Sequence, residues 1–201
     1  MLPKALQDTI DALGLLPGVG PRTAERYAYY LFRANEKISD NIAETISKLH
    51  TGVKFCPVTF ALIDAEEEVS PLYTDDSRDK KTIMVVEEPL DIYAIEQTHA
   101  YKGTYHVLGG AISPIDGITP DQLHIEELVK RVKDDEATEV IIATNPSVEG
   151  ESTALLIEKV LHDASPELKI TRLARGLPLG VDLSYADQIT LSAALENRTK
   201  I

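Results

Sequence analysis

The chain has 201 residues, of which 43% are hydrophobic and 26% are charged, so it can form one or two globular domains with a sizeable core. It has no run of about 18 apolar residues, no leader-like start and only one cysteine, which predicts no membrane span, no secretory signal and no disulfide framework, as in a cytoplasmic protein. The net charge of −13 argues against a generic nucleic-acid binder.

The acidic residues are unevenly distributed along the chain. Residues 1–55 carry a net charge of +1, whereas residues 56–79 carry −6 and residues 80–201 carry −8. Any contact with a nucleic acid should therefore be concentrated in the first segment and should weaken with salt. The acidic remainder should repel nucleic acid or face protein partners.

The first two predicted elements are helices joined by a Pro-Gly-Val-Gly turn. Apolar residues at helical spacing mark the first helix, at Leu6, Ile10 and Leu13. Gly18 and Gly20 allow a tight turn with backbone dihedral angles that most residues resist, and Pro21 suits the first turn of a second helix. Helices on either side of such a turn are typical of helix-hairpin-helix DNA-binding modules.

The second helix separates its side chains into two faces. The side expected to be buried contains Ala24, Tyr27, Ala28 and Leu31. Arg22, Arg26 and Arg33 fall on the opposite side beside Tyr29, within about 60° of one another. A glycine turn at a helix N-terminus offers free N–H groups to a phosphate, and the arginines extend this positive surface along a nucleic-acid backbone. The pattern predicts phosphate contact without base reading; the alternative is an ordinary helical hairpin whose solvated side carries arginines.

A third helix is predicted after Ser39-Asp40-Asn41, which supply candidate N-caps, and it completes a helical module over residues 1–54. A small, loop-rich inserted hairpin is predicted next, over residues 55–79. We expect this hairpin either to be mobile or to fold through packing of apolar residues, namely Phe55, Val58, Phe60, Leu62 and Leu72.

The inserted hairpin has the size of a zinc knuckle, in which a C-x-x-C stands at each end. Cys56 is its only thiolate candidate. The other three ligand positions hold Thr59, Ser70 and Tyr73. Because one cysteine is far short of four ligands, we expect no zinc.

From residue 80 the pattern changes to alternating strands and helices. Strands are predicted at residues 82–86, 105–108, 139–143 and 169–173. Helices are predicted at about 90–98, 125–132 and 151–162. The alternation predicts an α/β fold over residues 80–175, with a mainly parallel sheet covered by helices on both faces. A C-terminal segment, residues 176–201, is predicted to end in a helix near residues 186–197.

Acidic residues come directly after the first and third of these strands. Glu87 and Asp91 follow the first strand, and Glu149 and Glu151 follow the third. Because ligands bind at the carboxyl ends of parallel strands, these carboxylates would converge into an Mg²⁺ site for phosphoryl transfer if the two strands are neighbours. The alternative is that they are N-terminal carboxylates of the helices that start there, which are favourable at any helix start.

Four longer motifs connect these elements. They are Val-Val-Glu-x-Pro-x-Asp-x-x-Ala-x-Glu at 85–96, His-Val-Leu-Gly-Gly-x-x-Ser-Pro-x-Asp-Gly-Ile at 106–118, Ala-Thr-Asn-Pro-x-x-Glu-Gly-Glu-x-Thr-Ala at 143–154 and Arg-Leu-Ala-x-Gly-x-Pro-x-Gly at 172–180. Together with the Leu-Pro-Gly-Val-Gly-Pro turn they span nearly the whole chain, which closely resembles the RecR family of bacterial recombination mediators.

The resemblance implies a helix-hairpin-helix module, a four-cysteine zinc finger, a Toprim domain and a C-terminal segment expected to join copies of the chain. The family's DNA-contacting basic pair falls on Arg22 and Arg26, and its Toprim acids fall on Glu87 and on the region of Glu149 and Glu151. The chain departs from the pattern at three of the four zinc ligands. Where Toprim enzymes carry Asp-x-Asp this chain has Thr-Asn-Pro at 144–146, so we expect a protein-docking domain.

The resemblance further implies a non-enzymatic, sequence-independent DNA clamp of recombinational repair, located at the nucleoid. Family members form ring-shaped tetramers that can encircle DNA and act with RecO and RecF to load RecA at single-strand gaps. We therefore expect a homodimer or homotetramer ring with DNA, RecO and, as an open question, RecF as partners, and no cofactor beyond weakly bound Mg²⁺. Two alternatives stay open: a Mg²⁺-dependent Toprim nuclease or phosphotransferase, and an adaptor for RecO that has lost DNA contact.

Overall fold

The computed structural model describes residues 2–177 and 180–198, and its internal contacts divide the chain into two units, residues 1–54 and 55–201. Pro178, which belongs to the fourth motif, lies outside the described residues, and so do the last three residues of the predicted C-terminal segment. The first unit is mainly helical and the second is a mixed α/β unit.

The N-terminal unit consists of three helices, α1 (Lys4–Leu13), α2 (Pro21–Arg33) and α3 (Glu36–Gly52). Pro21 occupies the first turn of α2, where its missing N–H leaves no hydrogen bond unmade. The caps predicted for the third helix are wrong. Asn35 is the N-cap of α3 and accepts a hydrogen bond from the Lys37 N–H at 3.0 Å, so the helix begins at Glu36 and residues 39–41 lie inside it.

Few side chains of this unit are buried. Within its helices the buried residues are Ala24 and Ala28, which are 1% and 2% exposed, and Leu31 is half-buried. Tyr27 was expected on the buried side but is 44% exposed, because it stands at the edge of the apolar side with the Arg26 guanidinium 5.5 Å from its ring centre. Large apolar side chains remain exposed over the unit: Leu15, Leu16, Tyr29, Tyr30, Phe32, Ile46 and Leu49.

The inserted hairpin consists of two short paired strands, β1 (Val53–Phe55) and β2 (Leu62–Asp64), and one helical turn, α4 (Pro71–Thr74). The apolar packing expected for it is partly wrong. Phe55 and Leu62 are 65% and 44% exposed, because alternate residues of a strand face opposite sides. The buried residues of this region are instead Cys56, Thr59, Ala61, Ile63 and Ser70.

The C-terminal unit is built around a four-stranded sheet with the strand order β4-β3-β5-β6. Its strands are β3 (Asp79–Val86), β4 (Gly103–Val107), β5 (Glu139–Ala143) and β6 (Lys169–Arg172). All three neighbouring pairs are parallel, and Val86 at the end of β3 lies between Val107 and Ala143 of its neighbours. The carboxyl ends of β3 and β5 therefore meet at one edge of the sheet.

Helices cover both faces of this sheet, as the alternating pattern predicted. They are α5 (Pro89–Glu96), α6 (Ile125–Asp134) and α7 (Val148–Ala164). On one face, buried residues of β3 and β5 pack against α6 and α7, and on the other face β3 and β4 pack against Ile92 of α5 and Ala61 of the inserted hairpin. The parallel α/β fold is confirmed.

The C-terminal segment contains a 3₁₀ turn, Leu183–Tyr185, and helix α8 (Gln188–Glu196). Asp187 is the N-cap of α8 and accepts a hydrogen bond from the Thr190 N–H at 2.9 Å. No side chain of α8 is buried. Among the described residues, no helix combines the length and apolar character that a lipid bilayer crossing requires.

Candidate functional site

The turn between α1 and α2 depends on one of its two glycines for its shape. Gly18 has φ +78°, a left-handed conformation that side chains other than glycine rarely adopt. Gly20 has an ordinary extended conformation, with φ −77° and ψ 167°, contrary to the expectation that both glycines need unusual angles. A Cβ atom at Gly20 would meet no atom within 4 Å, so the fold of the unit does not require glycine there.

The N-terminus of α2 is open to a ligand. The N–H groups of Thr23 and Ala24 both donate to the Gly20 carbonyl at 3.0 Å. Among the described residues, the N–H groups of Gly20 and Arg22 have no hydrogen-bond acceptor. These donors stand at the positive end of the helix dipole, which is a favourable position for a phosphate oxygen.

Arg22, Arg26 and Arg33 are all exposed along α2, on the side that the helical period predicts. The Arg33 guanidinium lies 5.9 Å from the ring centre of Tyr29, which is itself 54% exposed. None of the three arginines pairs with a carboxylate of the described residues, so their charges are available to an anion.

The acidic edge of the sheet begins at Glu87, which directly follows β3 and is 7% exposed. Its carboxylate accepts hydrogen bonds from the Asn145 N–H, at 2.9 Å, and from the Asn145 side-chain amide. Gly150 packs against the same carboxylate, because a Cβ atom there would lie 2.7 Å from Glu87 Oε1 and 2.1 Å from the Asn145 carbonyl oxygen. The neighbouring strands thus bring Glu87 to an amide rather than to other acids.

The remaining predicted acids have separate positions. Asp91 forms a capping box with Glu88 at the start of α5. It therefore agrees with the alternative in which these acids are N-terminal carboxylates of helices. Glu151 accepts bidentate hydrogen bonds from Arg172, at 2.8 and 2.9 Å, and pairs with Arg175, and these two arginines lower the pKa of its carboxyl to about 2. Glu149 lies in the first turn of α7. The described part of the chain contains no group of three His, Cys, Asp or Glu residues that could hold a metal ion.

Three of the four positions compared with zinc ligands, Cys56, Thr59 and Ser70, form a hydrogen-bonded cluster, in which Cys56 is fully buried. Its sulfur accepts hydrogen bonds from the N–H groups of Val58 and Thr59, both at 3.4 Å, and of Ser70, at 3.3 Å. Burial opposes ionisation of the thiol, but the bonds from Thr59, Ser70 and Val58 together hold its pKa below the ordinary value of 9.0. One sulfur with two hydroxyl groups and a tyrosine does not make the ligand set that structural zinc requires, so these residues do not fit the ion.

A buried polar cluster that the sequence pattern did not predict joins Tyr73 to the sheet. The Tyr73 hydroxyl donates to Asp135 at 2.7 Å, and Asp135 accepts from Arg131 Nε at 3.0 Å. Arg131 is 4% exposed and also donates to Thr104 and to the Tyr105 carbonyl. A lone arginine inside the apolar stripe of α6 was the available signal, because a buried guanidinium needs partners from other elements.

His106, the first residue of the second long motif, is interpreted from the sequence as structural rather than catalytic. It is fully buried in β4, and its Nε2 donates to the His124 carbonyl at 2.7 Å, which assigns the proton to that nitrogen. Burial lowers its pKa to about 3, so the ring is neutral. These contacts support the structural interpretation.

Three family models match the sequence in the order of these regions. A model described as "RecR, helix-hairpin-helix" matches residues 6–50, one described as "Toprim domain" matches residues 81–174, and one described as "RecR, C-terminal" matches residues 176–199. The first match contains the arginines of α2, and the second contains nearly all of the parallel sheet.

Relatives of similar length match along almost the whole chain. The recombination protein RecR of Saccharopolyspora erythraea is 45% identical over 196 residues, which are 98% of each chain. Its counterpart in Tropheryma whipplei is 45% identical over all 201 residues of both chains, and that of Streptomyces coelicolor is 47% identical over 96% of this chain and 95% of its own. The chain therefore belongs to the RecR family of recombination proteins.

Proposed function

We propose that this protein is a non-enzymatic DNA clamp of recombinational repair that grips phosphates through its N-terminal unit without reading sequence. The observation that carries the proposal is the row of exposed arginines, Arg22, Arg26 and Arg33, beside the open N-terminus of α2. Gly18 shapes the turn, and Gly20 leaves the space in which a phosphate would approach the free N–H groups. All of these groups recognise the nucleic-acid backbone, which every sequence shares.

Other parts of the chain fit roles in assembly and partner binding. We assign DNA contact to residues 1–54, connection to residues 55–79, partner docking to the acidic Toprim region at residues 80–175, and assembly of copies to residues 176–201. The acidic surface repels DNA and suits protein partners, of which RecO is the first candidate and RecF the second. In this role a ring of two or four copies at the nucleoid would help to load RecA at single-strand gaps in the cytoplasm.

The rival function is a Mg²⁺-dependent nuclease or phosphotransferase centred on Glu87, Glu149 and Glu151. The contacts favour the clamp, because the Glu87 carboxylate is occupied by Asn145 and that of Glu151 by Arg172 and Arg175. Incubation of gapped and duplex DNA with the protein and Mg²⁺ separates the two functions. A clamp leaves the DNA intact, whereas protein-dependent cleavage would establish the rival.

A protein-only adaptor is the second rival, and the net charge of −13 favours it. Salt-dependent DNA binding separates it from the clamp. We expect the native protein to bind gapped duplex DNA with an affinity that falls steeply as salt rises, because lysine and arginine contacts release counterions. The Arg22→Ala/Arg26→Ala variant should bind more weakly, and its slope of log affinity against log salt should be shallower by about 2.

The matched control is Lys37→Ala/Lys48→Ala, which removes the same charge from exposed positions of α3. In this control, the slope of log affinity against log salt should differ from the native slope by less than about 1, the change expected for loss of one phosphate contact. Equal weakening of both variants would mean that net charge, not the arginine row, governs binding. Absence of binding by the native protein at low salt would instead support the adaptor.

A further inference from the structure

A zinc knuckle is held together by a metal ion that bridges two turns, so a knuckle without its ligands needs another bridge. The two turns here are residues 56–59 and 70–73. The Cys56 sulfur accepts hydrogen bonds from its own turn, at Thr59, and from the opposite turn, at Ser70, over 3.4 and 3.3 Å. Thr59 and Ser70 are only 2% and 3% exposed. The sulfur itself therefore joins the two turns directly.

The fourth ligand position connects the second turn to the sheet. The hydroxyl of Tyr73 donates to Asp135, near the end of α6, at 2.7 Å. Arg131 donates to the other oxygen of Asp135 at 3.0 Å, and its guanidinium lies 5.0 Å from the Tyr73 ring centre. The same arginine donates to Thr104 at 2.6 Å and to the Tyr105 carbonyl, both in the edge strand β4. One buried cluster thus links α4, α6 and β4.

The first turn is connected to the same strand by the backbone. The Val107 N–H at the free edge of β4 donates to the Thr59 carbonyl at 2.8 Å. The Cys56 N–H and the Ala61 carbonyl close the turn itself at 2.8 Å. Protein groups therefore connect both turns to β4.

We propose that the knuckle of this chain is metal-free and that the group of Tyr73, Asp135 and Arg131, the Tyr73 clasp, replaces zinc in holding its second turn. The chain then keeps the position of the inserted hairpin without a removable ion. This inference is independent of the DNA-binding proposal, because it concerns only contacts within residues 55–201.

The first test measures metal content and chelator sensitivity. The full-length protein is produced with added zinc, its bound metal is determined by mass spectrometry, and its unfolding temperature is measured with and without EDTA. We expect no stoichiometric zinc and the same unfolding temperature in both buffers. One zinc per chain, or a lower unfolding temperature in EDTA, would overturn the proposal.

The second test removes one hydroxyl group. Tyr73→Phe keeps the ring over Arg131 but deletes the bond to Asp135, so we expect the unfolding temperature to fall by about 2–4 °C and the amides of α4 to exchange faster. Tyr93→Phe is the control, because Tyr93 is 69% exposed and its hydroxyl forms no hydrogen bond with a described residue. Equal unfolding temperatures and exchange rates in the two variants would show that the clasp does not hold the turn.

Discussion

The fold of the N-terminal unit does not explain why residue 20 is a glycine. Its backbone angles suit any residue, and a Cβ atom there would have empty space around it. Gly18, two residues earlier, needs its missing side chain because of its φ of +78°. The missing side chain at Gly20 leaves space for a ligand at the N-terminus of α2. A phosphate that accepts hydrogen bonds from the free N–H groups is such a ligand.

Gly20→Ala should therefore separate binding from folding. We expect its affinity for DNA to fall about threefold or more, because the methyl group would stand where the phosphate approaches the helix end. Its free energy of unfolding should fall by about 1 kcal/mol, because alanine is a poorer N-cap than glycine. Fluorescence anisotropy with labelled gapped DNA and thermal unfolding measure the two effects.

Gly18→Ala is the comparison variant for Gly20→Ala, because it changes the neighbouring glycine in the same way. It places a methyl group in a left-handed conformation, which we expect to cost about 1 kcal/mol of unfolding free energy. DNA affinity of Gly20→Ala equal to the native value would contradict the role of the helix end. The arginine row would then have to act alone.

At the scale of single residues, the sequence predicts features that arise from the helical period and misses those that depend on tertiary partners. The exposure of Arg22, Arg26 and Arg33 on one side of α2 is a consequence of 3.6 residues per turn. The burial of Arg131 is not, because it depends on Thr104 and the Tyr105 carbonyl, which belong to β4 and meet α6 only in the folded unit.

At the scale of elements, the carboxyl end of β3 lies beside the loop that leads into α7, and the residues that meet there determine whether this edge of the sheet could bind a metal ion. Parallel pairing places Glu87 beside the residues that come after β5, as the sequence pattern predicted. The residue that meets it is Asn145, whose N–H and amide groups donate to the carboxylate. Of the acids that were expected there, Glu151 pairs with Arg172 of β6, whereas Glu149 lies in the first turn of α7.

This junction leads to a prediction for Asn145→Asp. The substitution replaces an amide donor with a second carboxylate beside the buried Glu87, so we expect the unfolding free energy to fall by about 1–3 kcal/mol in EDTA. Mg²⁺ should restore part of this loss, because a cation that binds only the folded state stabilises it. Thermal unfolding with and without Mg²⁺ measures both changes.

Asn41→Asp, an equal charge change at an exposed position of α3, is the control and should respond to Mg²⁺ no more than the native protein does. Stabilisation of the native protein by Mg²⁺ to the same extent as Asn145→Asp would show that Glu87 already binds the ion. The enzymatic alternative would then regain support.

The elements that the sequence predicts best are those with long apolar runs. The third of the predicted strands has its observed bounds, Glu139–Ala143, because it is an interior strand of the sheet in which Val140 and Ile142 are buried. The start of α3 is missed because three cap candidates at 39–41 compete with Asn35, and local sequence does not choose between them. The inserted hairpin is predicted in part, since Phe60 and Leu72 pack against the core of the sheet as expected. The hydrogen bonds at Cys56 and Tyr73 that also hold it depend on partners that the local sequence does not show.

At the scale of the whole molecule, the net charge is divided unevenly between the two units. Residues 1–54 carry a net charge of +1 and residues 55–201 carry −14. The N-terminal unit also exposes a groove of about 400 Å³ that is lined by α1 and α2 and includes Leu6, Leu31 and Phe32. Contiguous apolar surface on a small unit with two buried alanines is typical of an interface between protein chains.

If the proposed ring forms, we expect a second copy of the chain to cover this groove, and Phe32→Glu tests this expectation. Phe32 is 77% exposed, so the substitution should leave the isolated chain folded while placing a charge in an apolar interface. We expect the variant to sediment at a lower mass than the native protein at equal concentration. Asn41→Glu adds the same charge at an exposed position of α3 and should sediment as the native protein does.

Native sedimentation of Phe32→Glu would contradict this interface, and assembly through residues 176–201 would become the candidate to test next.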